Sequence, residues 1–119
     1  MTKVNFKNLE VIDFRIESFS VFSENVIIDL SGDGVRSFFN GIEFILKYTD
    51  KKKFLKKLSL LHIDKWKKEY MPNGKTVCDG VNWSIEFVYN DDTVKEISGY
   101  SEYPKNFNKF LTIVGLEKI

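Results

Sequence analysis

The feature that most constrains the fold is an unbroken alternation of apolar and polar side chains over residues 81–89. Every second position of this run is aliphatic or aromatic: Val81, Trp83, Ile85, Phe87 and Tyr89. A period of two places alternate side chains on opposite faces, so the run predicts a β-strand with one buried and one wet face. Asn90-Asp91-Asp92 predicts a turn, and residues 93–99 are expected to return as the second arm of a hairpin.

Three earlier segments show the same alternation and predict three further strands. Their apolar positions are Ile12, Phe14 and Ile16 in the first, Val26, Ile28 and Leu30 in the second, and Ile42, Phe44, Leu46 and Tyr48 in the third. Ser31-Gly32-Asp33-Gly34 predicts a turn after the second strand. Asn40-Gly41, a strong turn dipeptide, is expected to mark the start of the third strand.

Two segments change to a helical period. Apolar residues three and four apart predict helices, at Phe54, Leu55, Leu58 and Leu61 and again at Phe107, Phe110, Leu111 and Val114. Thr49 or Asp50 is expected to cap the first helix, Pro104 to occupy the first position of the second, and Gly115 to end it. Residues 62–70 are irregular and predict either a short extended segment or a last loose turn, followed by a loop over residues 71–75.

These elements predict one α+β domain over residues 1–119, in the order β-β-β-α-β-β-α. We expect an antiparallel sheet of about five strands with two helices packed on one face. The chain has 119 residues, which suits a single core. Aromatic residues make up 15% of the chain, and since their spacing follows the strand and helix periods, most are expected in that core.

Composition argues against several classes of function. A single cysteine, Cys78, excludes an internal disulfide, and a single histidine, His62, leaves little for a Cys/His metal site. Calcium loops need more oxygen ligands at fixed spacing than the predicted hairpin offers. No apolar stretch approaches the roughly 20 residues of a membrane span, and the first residues lack the apolar core of a signal peptide. We therefore expect a cytoplasmic protein without cofactor or metal.

Residue types suitable for catalysis are present, but not in a catalytic arrangement. Ser59, His62 and Asp64 lie on one predicted helix or its frayed end, where their side chains point in different directions. A Ser-His-Asp site is instead built from distant segments. Cys78 is far in sequence from His62, so an activated thiolate is equally unpromising. The sequence predicts that the protein is not an enzyme.

Lysines are concentrated in one segment of the chain. Residues 47–68 contain nine lysines against Asp50 and Asp64, a net charge of +7, whereas the remaining residues carry nine basic and 15 acidic side chains, a net charge of −6. The whole chain has a net charge of only +1, so we expect a dipolar molecule. Clustered lysines attract phosphate backbones or acidic proteins, although a charge run is also typical of a solvated helix face.

Residues 63–111 carry a set of aromatic, glycine and turn residues that resembles a family pattern. The residues are Trp66, Tyr70, Asp79-Gly80, Trp83, Gly99 and the run Tyr103-Pro104-Lys105-Asn106-Phe107. In this pattern the segment is similar to a small uncharacterised domain of Gram-positive bacteria and their phages. The loop Tyr100-Ser101-Glu102 is bulkier and more acidic than the small and asparagine residues usual there. Since the family brings no established activity, the resemblance implies a structural signature.

Each signature residue also has a physical interpretation. Trp66 and Trp83 are expected as large core side chains whose indole N–H groups need partners. Asp79-Gly80 predicts a turn before a strand, and Asn106 is expected to bond back to the loop at residues 99–102.

The lysine segment and the loop near residue 100 form the predicted partner-binding site. Its candidate residues are Lys52, Lys53, Lys56, Lys57, Lys65, Lys67, Lys68, Tyr100 and Glu102. Arginine, which suits bidentate recognition of bases and phosphates, occurs only as Arg15 and Arg36, and this favours a protein partner. Nucleic-acid binding through residues 47–68 is the alternative. By analogy with small phage and mobile-element proteins, we expect an inhibitor of a bacterial defence system, similar to anti-CRISPR proteins.

Overall fold

Seven strands form one mixed sheet, and two α-helices complete an α+β fold, in a computed structural model that describes residues 6–18, 22–47, 49–71 and 80–116. The strands are β1 (Leu9–Ser18), β2 (Phe22–Asp29), β3 (Arg36–Phe39), β4 (Ile42–Phe44), β5 (Glu69–Tyr70), β6 (Val81–Tyr89) and β7 (Val94–Tyr100). The helices are α1 (Lys51–Ser59) and α2 (Phe107–Ile113), with a short 3₁₀ helix at Ile63–Lys65. The predicted α+β class is confirmed.

The strand order across the sheet is β4-β3-β2-β1-β6-β7-β5. β1 lies in the middle and pairs antiparallel with β2 on one side and with β6 on the other. β5 pairs parallel with β7 at one edge. The expected antiparallel sheet of about five strands is therefore wrong in two respects, because the described residues form a sheet of seven strands with one parallel pair.

The predicted third strand, over residues 42–48, is shorter than expected, and a strand that the sequence pattern did not predict, β3, precedes it. Asn40 and Gly41 have positive φ angles of 48° and 85°, which is the backbone of a two-residue hairpin turn. This turn connects β3 to β4, so the dipeptide marks the start of a strand, as expected, and also follows the end of another. β4 ends at Phe44; Tyr48, the last position of the predicted strand, lies outside the described residues.

The irregular segment at residues 62–70 contains both structures that its pattern allowed. His62 adopts a left-handed backbone, with φ 54°, and precedes the 3₁₀ helix. The chain then extends into β5, where Glu69 and Tyr70 pair with Ser98 and Gly99 of β7. The backbone N–H of Ser98 donates to the carbonyl of Lys68 at 3.0 Å, so this short strand is tied to the sheet by its main chain.

The core lies between the helices and one face of the sheet, which we call the inner face. The inner positions of β1, Ile12, Phe14 and Ile16, are buried together with those of β2, β6 and β7 and with the apolar sides of both helices. The ring of Phe14 contacts that of Phe110 edge-on at 5.5 Å, and Trp83 lies 4.6 Å from Phe107 between ring centroids. The aromatic residues placed in strands and helices by the sequence thus supply much of the core.

The structure shows which of the residues predicted to begin or end the helices do so. Asp50 caps α1, because its carboxylate accepts a hydrogen bond from the Lys53 backbone N–H at 3.0 Å, and Gly115 follows α2 with a φ of 89°. Pro104 lies in a turn before α2 and not at its first position. Asn106 was expected to bond to the loop at residues 99–102, and this is wrong.

The amide of Asn106 instead joins the two helices. It donates to the carbonyl of Leu61 at 3.2 Å, just beyond the end of α1, where the last carbonyls of a helix lack partners within the helix.

Neither helix among the described residues is long and apolar enough to cross a membrane.

Candidate functional site

The outer side of α1 is positioned by the apolar residues on its inner side. Phe54 and Leu58 are fully buried, and Leu61 just beyond the helix is 3% exposed, so the helix is fixed in one rotation on the sheet. The exposed residues of α1 that form what we call the lysine face are Lys52, Lys53, Lys56 and Lys57. Leu60, 60% exposed, lies four residues after Lys56 and adds an apolar side chain to this surface.

Three of the four lysines on the lysine face, Lys52, Lys53 and Lys56, have no ion-pair partner within the part of the chain that the structure describes. There, ion pairs belong to Arg15 and Arg36 and none to Lys52, Lys53 or Lys56. Because lysines at positions i and i+4 are neighbours on a helix surface, Lys52 and Lys56 add their positive fields. This arrangement suits an anionic partner.

The other candidate lysines lie on a different segment. Lys65, Lys67 and Lys68 are exposed and follow α1 and the 3₁₀ helix, on the segment that runs to β5. Trp66 among them is buried, with its ring 6.2 Å from that of Phe110, and holds this segment against the core. The predicted lysine surface is therefore divided between the helix and the connection to the sheet edge.

The structure brings Lys67 and Glu102 together at the β5 edge. Both line an open cleft of about 480 Å³, together with Glu69, Tyr70 and Met71. The Tyr70 hydroxyl accepts a hydrogen bond from the Lys67 backbone N–H at 2.8 Å, and Met71 is 61% exposed. The cleft therefore has one apolar side chain among charges of both signs.

Tyr100, grouped with Glu102 by the sequence, lies on the other side of the sheet. It pairs with Asn82 at the end of β7, and its ring packs directly over Gly80. Ser101 turns the chain with a φ of 54°, and its hydroxyl accepts from the Val81 backbone N–H at 2.9 Å. The predicted site is thus divided, with Tyr100 on one face and Glu102 at the cleft.

Trp83 explains most of the resemblance signature in structural terms. Its ring is stacked with that of Tyr103 at 6.2 Å and tilted against Tyr70 at 6.0 Å. Its indole N–H donates to the carbonyl of Glu102 at 2.8 Å. A Cβ at Gly99 would lie 2.5 Å from the indole nitrogen, so only glycine leaves room for the ring.

Among the described residues considered for catalysis, Ser59, His62 and Asp64, no hydrogen bond joins one side chain to another. The hydroxyl of Ser59 donates to the Lys56 carbonyl at 2.7 Å, and His62 is exposed. Among the described residues, no group of three His, Cys, Asp or Glu side chains could hold a metal ion. Cys78 and Asp79 lie outside the described residues.

The carboxylates of the hairpin between β6 and β7 lie in two places, the turn and the two strands. The Asp91 side chain accepts from the Thr93 backbone N–H at 3.0 Å, and hydrogen bonds from Thr93 lower the pKa of this carboxyl. Asp92 takes a left-handed backbone, with φ 67°. Glu86 and Glu96 instead pair directly across the hairpin, on the sheet face away from the helices.

That face, which we call the open face, is a surface that the sequence reasoning missed. Arg15 lies near its centre and is joined to Asp13 by an ion pair of 3.3 Å. The hydrogen bond and charge of Asp13 raise the pKa of Arg15. Beside Arg15 lies a shallow cleft of about 250 Å³, whose lining includes small polar side chains, Ser23, Asn25, Asn82 and Ser84, and the carboxylates of Glu17 and Glu24. In the sequence, this face corresponds to the polar positions of the strand alternations. Which of these positions become neighbours depends on the strand register.

Comparison of the chain with protein-family models, with curated proteins and with solved structures gives no match. Function is therefore inferred from the surfaces described above.

Proposed function

We propose that the protein is a non-enzymatic protein-binding module whose lysine face binds an acidic surface of a protein partner. The carrying observation is the fixed rotation of α1, which buries Phe54 and Leu58 and leaves Lys52, Lys53 and Lys56 exposed without ion pairs in the described part of the chain. Such a surface costs the fold little to maintain and accelerates association with an oppositely charged partner.

Arginine usage favours a protein partner over nucleic acid. Bidentate recognition of bases and phosphates relies on arginine, and both arginines of the chain are engaged by carboxylates: Arg15 with Asp13 at 3.3 Å and Arg36 with Glu43 at 3.2 Å. Nucleic-acid binding through residues 47–68 remains the second candidate, supported by their net charge of +7.

The biological setting that we propose is inhibition of a bacterial defence system by a phage or mobile element, in the manner of anti-CRISPR proteins. The small size of the chain and the resemblance over residues 63–111 to a domain of Gram-positive bacteria and their phages support this setting by analogy. In this proposal the protein acts in the cytoplasm by occupying a partner's surface and not by chemistry.

The proposal is tested by reversing charge at two neighbouring positions of the lysine face. A Lys52→Glu/Lys56→Glu variant is compared with a Lys105→Glu/Lys109→Glu variant, which changes the same number of exposed lysines at the same spacing. Each is immobilised and exposed to a Gram-positive lysate, with and without nuclease treatment. We expect the parent and the control to retain the same proteins, and the lysine-face variant to lose them by tenfold or more.

The lysine face is excluded as the binding surface if the Lys52→Glu/Lys56→Glu variant retains the same proteins as the parent while remaining folded by circular dichroism. Loss of the captured material on nuclease treatment, with binding to DNA that weakens steeply as salt rises, would instead establish the nucleic-acid alternative.

A further inference from the structure

The open face has no helix over it among the described residues. The inner positions of β1, such as Ile12 and Phe14, are buried under the helices, whereas the intervening Asp13 and Arg15 point the other way. An antiparallel sheet is stable with one wet face, so exposure alone says nothing about a partner. The arrangement of charge on this face is more specific.

A row of three carboxylates crosses the centre of the open face. Asp13 of β1 pairs directly with Glu86 of β6, and Glu86 pairs directly with Glu96 of β7. Like charges directly opposite each other destabilise a sheet. We call these three residues the acidic row. Their direct pairing is unfavourable for the stability of the sheet.

Among the described residues, ion pairs neutralise the acidic row only in part. Arg15 forms an ion pair with Asp13 and also attracts the Glu86 carboxylate, whereas the other arginine, Arg36, is paired with Glu43. Glu96 has no ion pair among the described residues. No lysine lies in the described outward positions of the strands.

An apolar row lies beside the acidic row on the same three strands. Val11 of β1 pairs with Val88 of β6, which pairs with Val94 of β7. Val94 is 49% exposed. Acidic and apolar rows one step apart along the strands match a ligand that presents cationic and apolar groups in the same order.

We propose that the open face binds an arginine- or lysine-rich segment of a protein partner, with its cations on the acidic row and its apolar side chains on the three valines. Charge complementarity supports this choice of occupant, because the three carboxylates share one arginine, Arg15, and Glu96 has no ion pair among the described residues. The inference goes beyond the proposed function, since it concerns the opposite face and a partner of opposite charge, and either can fail without the other.

A fluorescent 12-residue peptide of the repeat Arg-Arg-Val-Val serves as the probe, because each face of this peptide in an extended conformation alternates arginine and valine. Its affinity is measured by anisotropy at 50 and 150 mM salt for the parent, for Glu86→Gln/Glu96→Gln, and for Asp33→Asn/Asp64→Asn. The last variant removes the same number of exposed carboxylates from outside the strands. We expect saturable binding of one peptide per chain, weakened about tenfold in the first variant and less than twofold in the second.

The stability of each variant is followed by thermal unfolding. Glu86→Gln/Glu96→Gln is expected to melt no lower than the parent, because it removes a repulsion, so its loss of binding would not come from unfolding. Equal weakening in both variants would overturn the proposal, because the effect would then come from net charge alone. Absence of saturable binding to the parent would overturn it as well. A third outcome would also overturn it: the parent forms salt-sensitive dimers or larger species, and Glu86→Gln/Glu96→Gln abolishes them. The open face would then bind the lysine face of a second copy.

Discussion

Trp83 determines which residues can occupy the positions around it. The neighbouring strand must carry glycine at residue 99 to admit the ring, although that glycine does not need a positive φ. The chain must also offer the Glu102 carbonyl to the indole N–H, since a buried unpaired donor is costly. The pattern of glycines and aromatic residues around Trp83 is thus explained by packing, and leaves the surfaces described above as the places for function.

At the scale of single residues, the space at Gly99 is directly testable. Gly99→Ala forces the Trp83 ring to move, and we expect the free energy of unfolding to fall by about 1–3 kcal/mol, as in other overpacked cores. Gly32→Ala is the matched control, because nothing lies within 4 Å of a Cβ at that position. Urea unfolding followed by tryptophan fluorescence measures both.

The packing explanation fails if Gly99→Ala unfolds at the same urea concentration as the parent. A similar loss in Gly32→Ala would instead attribute the effect to glycine replacement in general.

Among the elements, those with several turns or repeats of a period were predicted and the shortest were not. β1, β2, β6 and β7 follow their alternations, and both helices follow their apolar stripes. β5 has only two residues and pairs with β7 almost 30 positions later, so no local period announces it. β3 has only four residues, and its last two are both aromatic, so it shows no alternation that would predict a strand.

The start of α1 provides a prediction at the scale of an element. The sequence left Thr49 and Asp50 as alternative caps, and the carboxylate of Asp50 accepts from Lys53. Asp50→Ala removes this bond, so we expect a loss of about 0.5–2 kcal/mol in the free energy of unfolding. Thr49→Ala is expected to change it by less than half a kcal/mol, roughly the effect of an exposed substitution. Urea unfolding at neutral pH distinguishes the two, and equal losses would show that the cap is shared.

Across the whole molecule, the charge asymmetry of the sequence becomes a separation of surfaces. Residues 47–68 carry a net charge of +7 and the rest −6, which predicts a dipole but not its direction. The direction follows from long-range pairing, which places Asp13, Glu86 and Glu96 side by side from three strands. Local patterns therefore located the lysine face, whereas the open face could not be found without the register.

The central position of β1 makes the fold dependent on its last third. β1 pairs with β6 over nearly its whole length, so a fragment ending at residue 71 lacks the strand that completes the centre of the sheet. We expect the fragment of residues 1–71 to show no cooperative thermal unfolding by circular dichroism, whereas the full chain does. A cooperative transition in this fragment would mean that the first four strands and α1 form an independent unit.

The same strand order has a consequence for the chain while it is being made. β1 is complete at Ser18 and its partner β6 only at Tyr89, an interval that translation at 5–20 residues per second fills in roughly 4–14 s. During that time one edge of β1 has no strand paired with it, and the apolar side chains of Ile12, Phe14 and Ile16 are not yet buried in the complete core. A newly synthesised chain is then a substrate for chaperones and a candidate for strand exchange with its neighbours on the same messenger RNA, and slower translation of residues 72–89 lengthens the exposure.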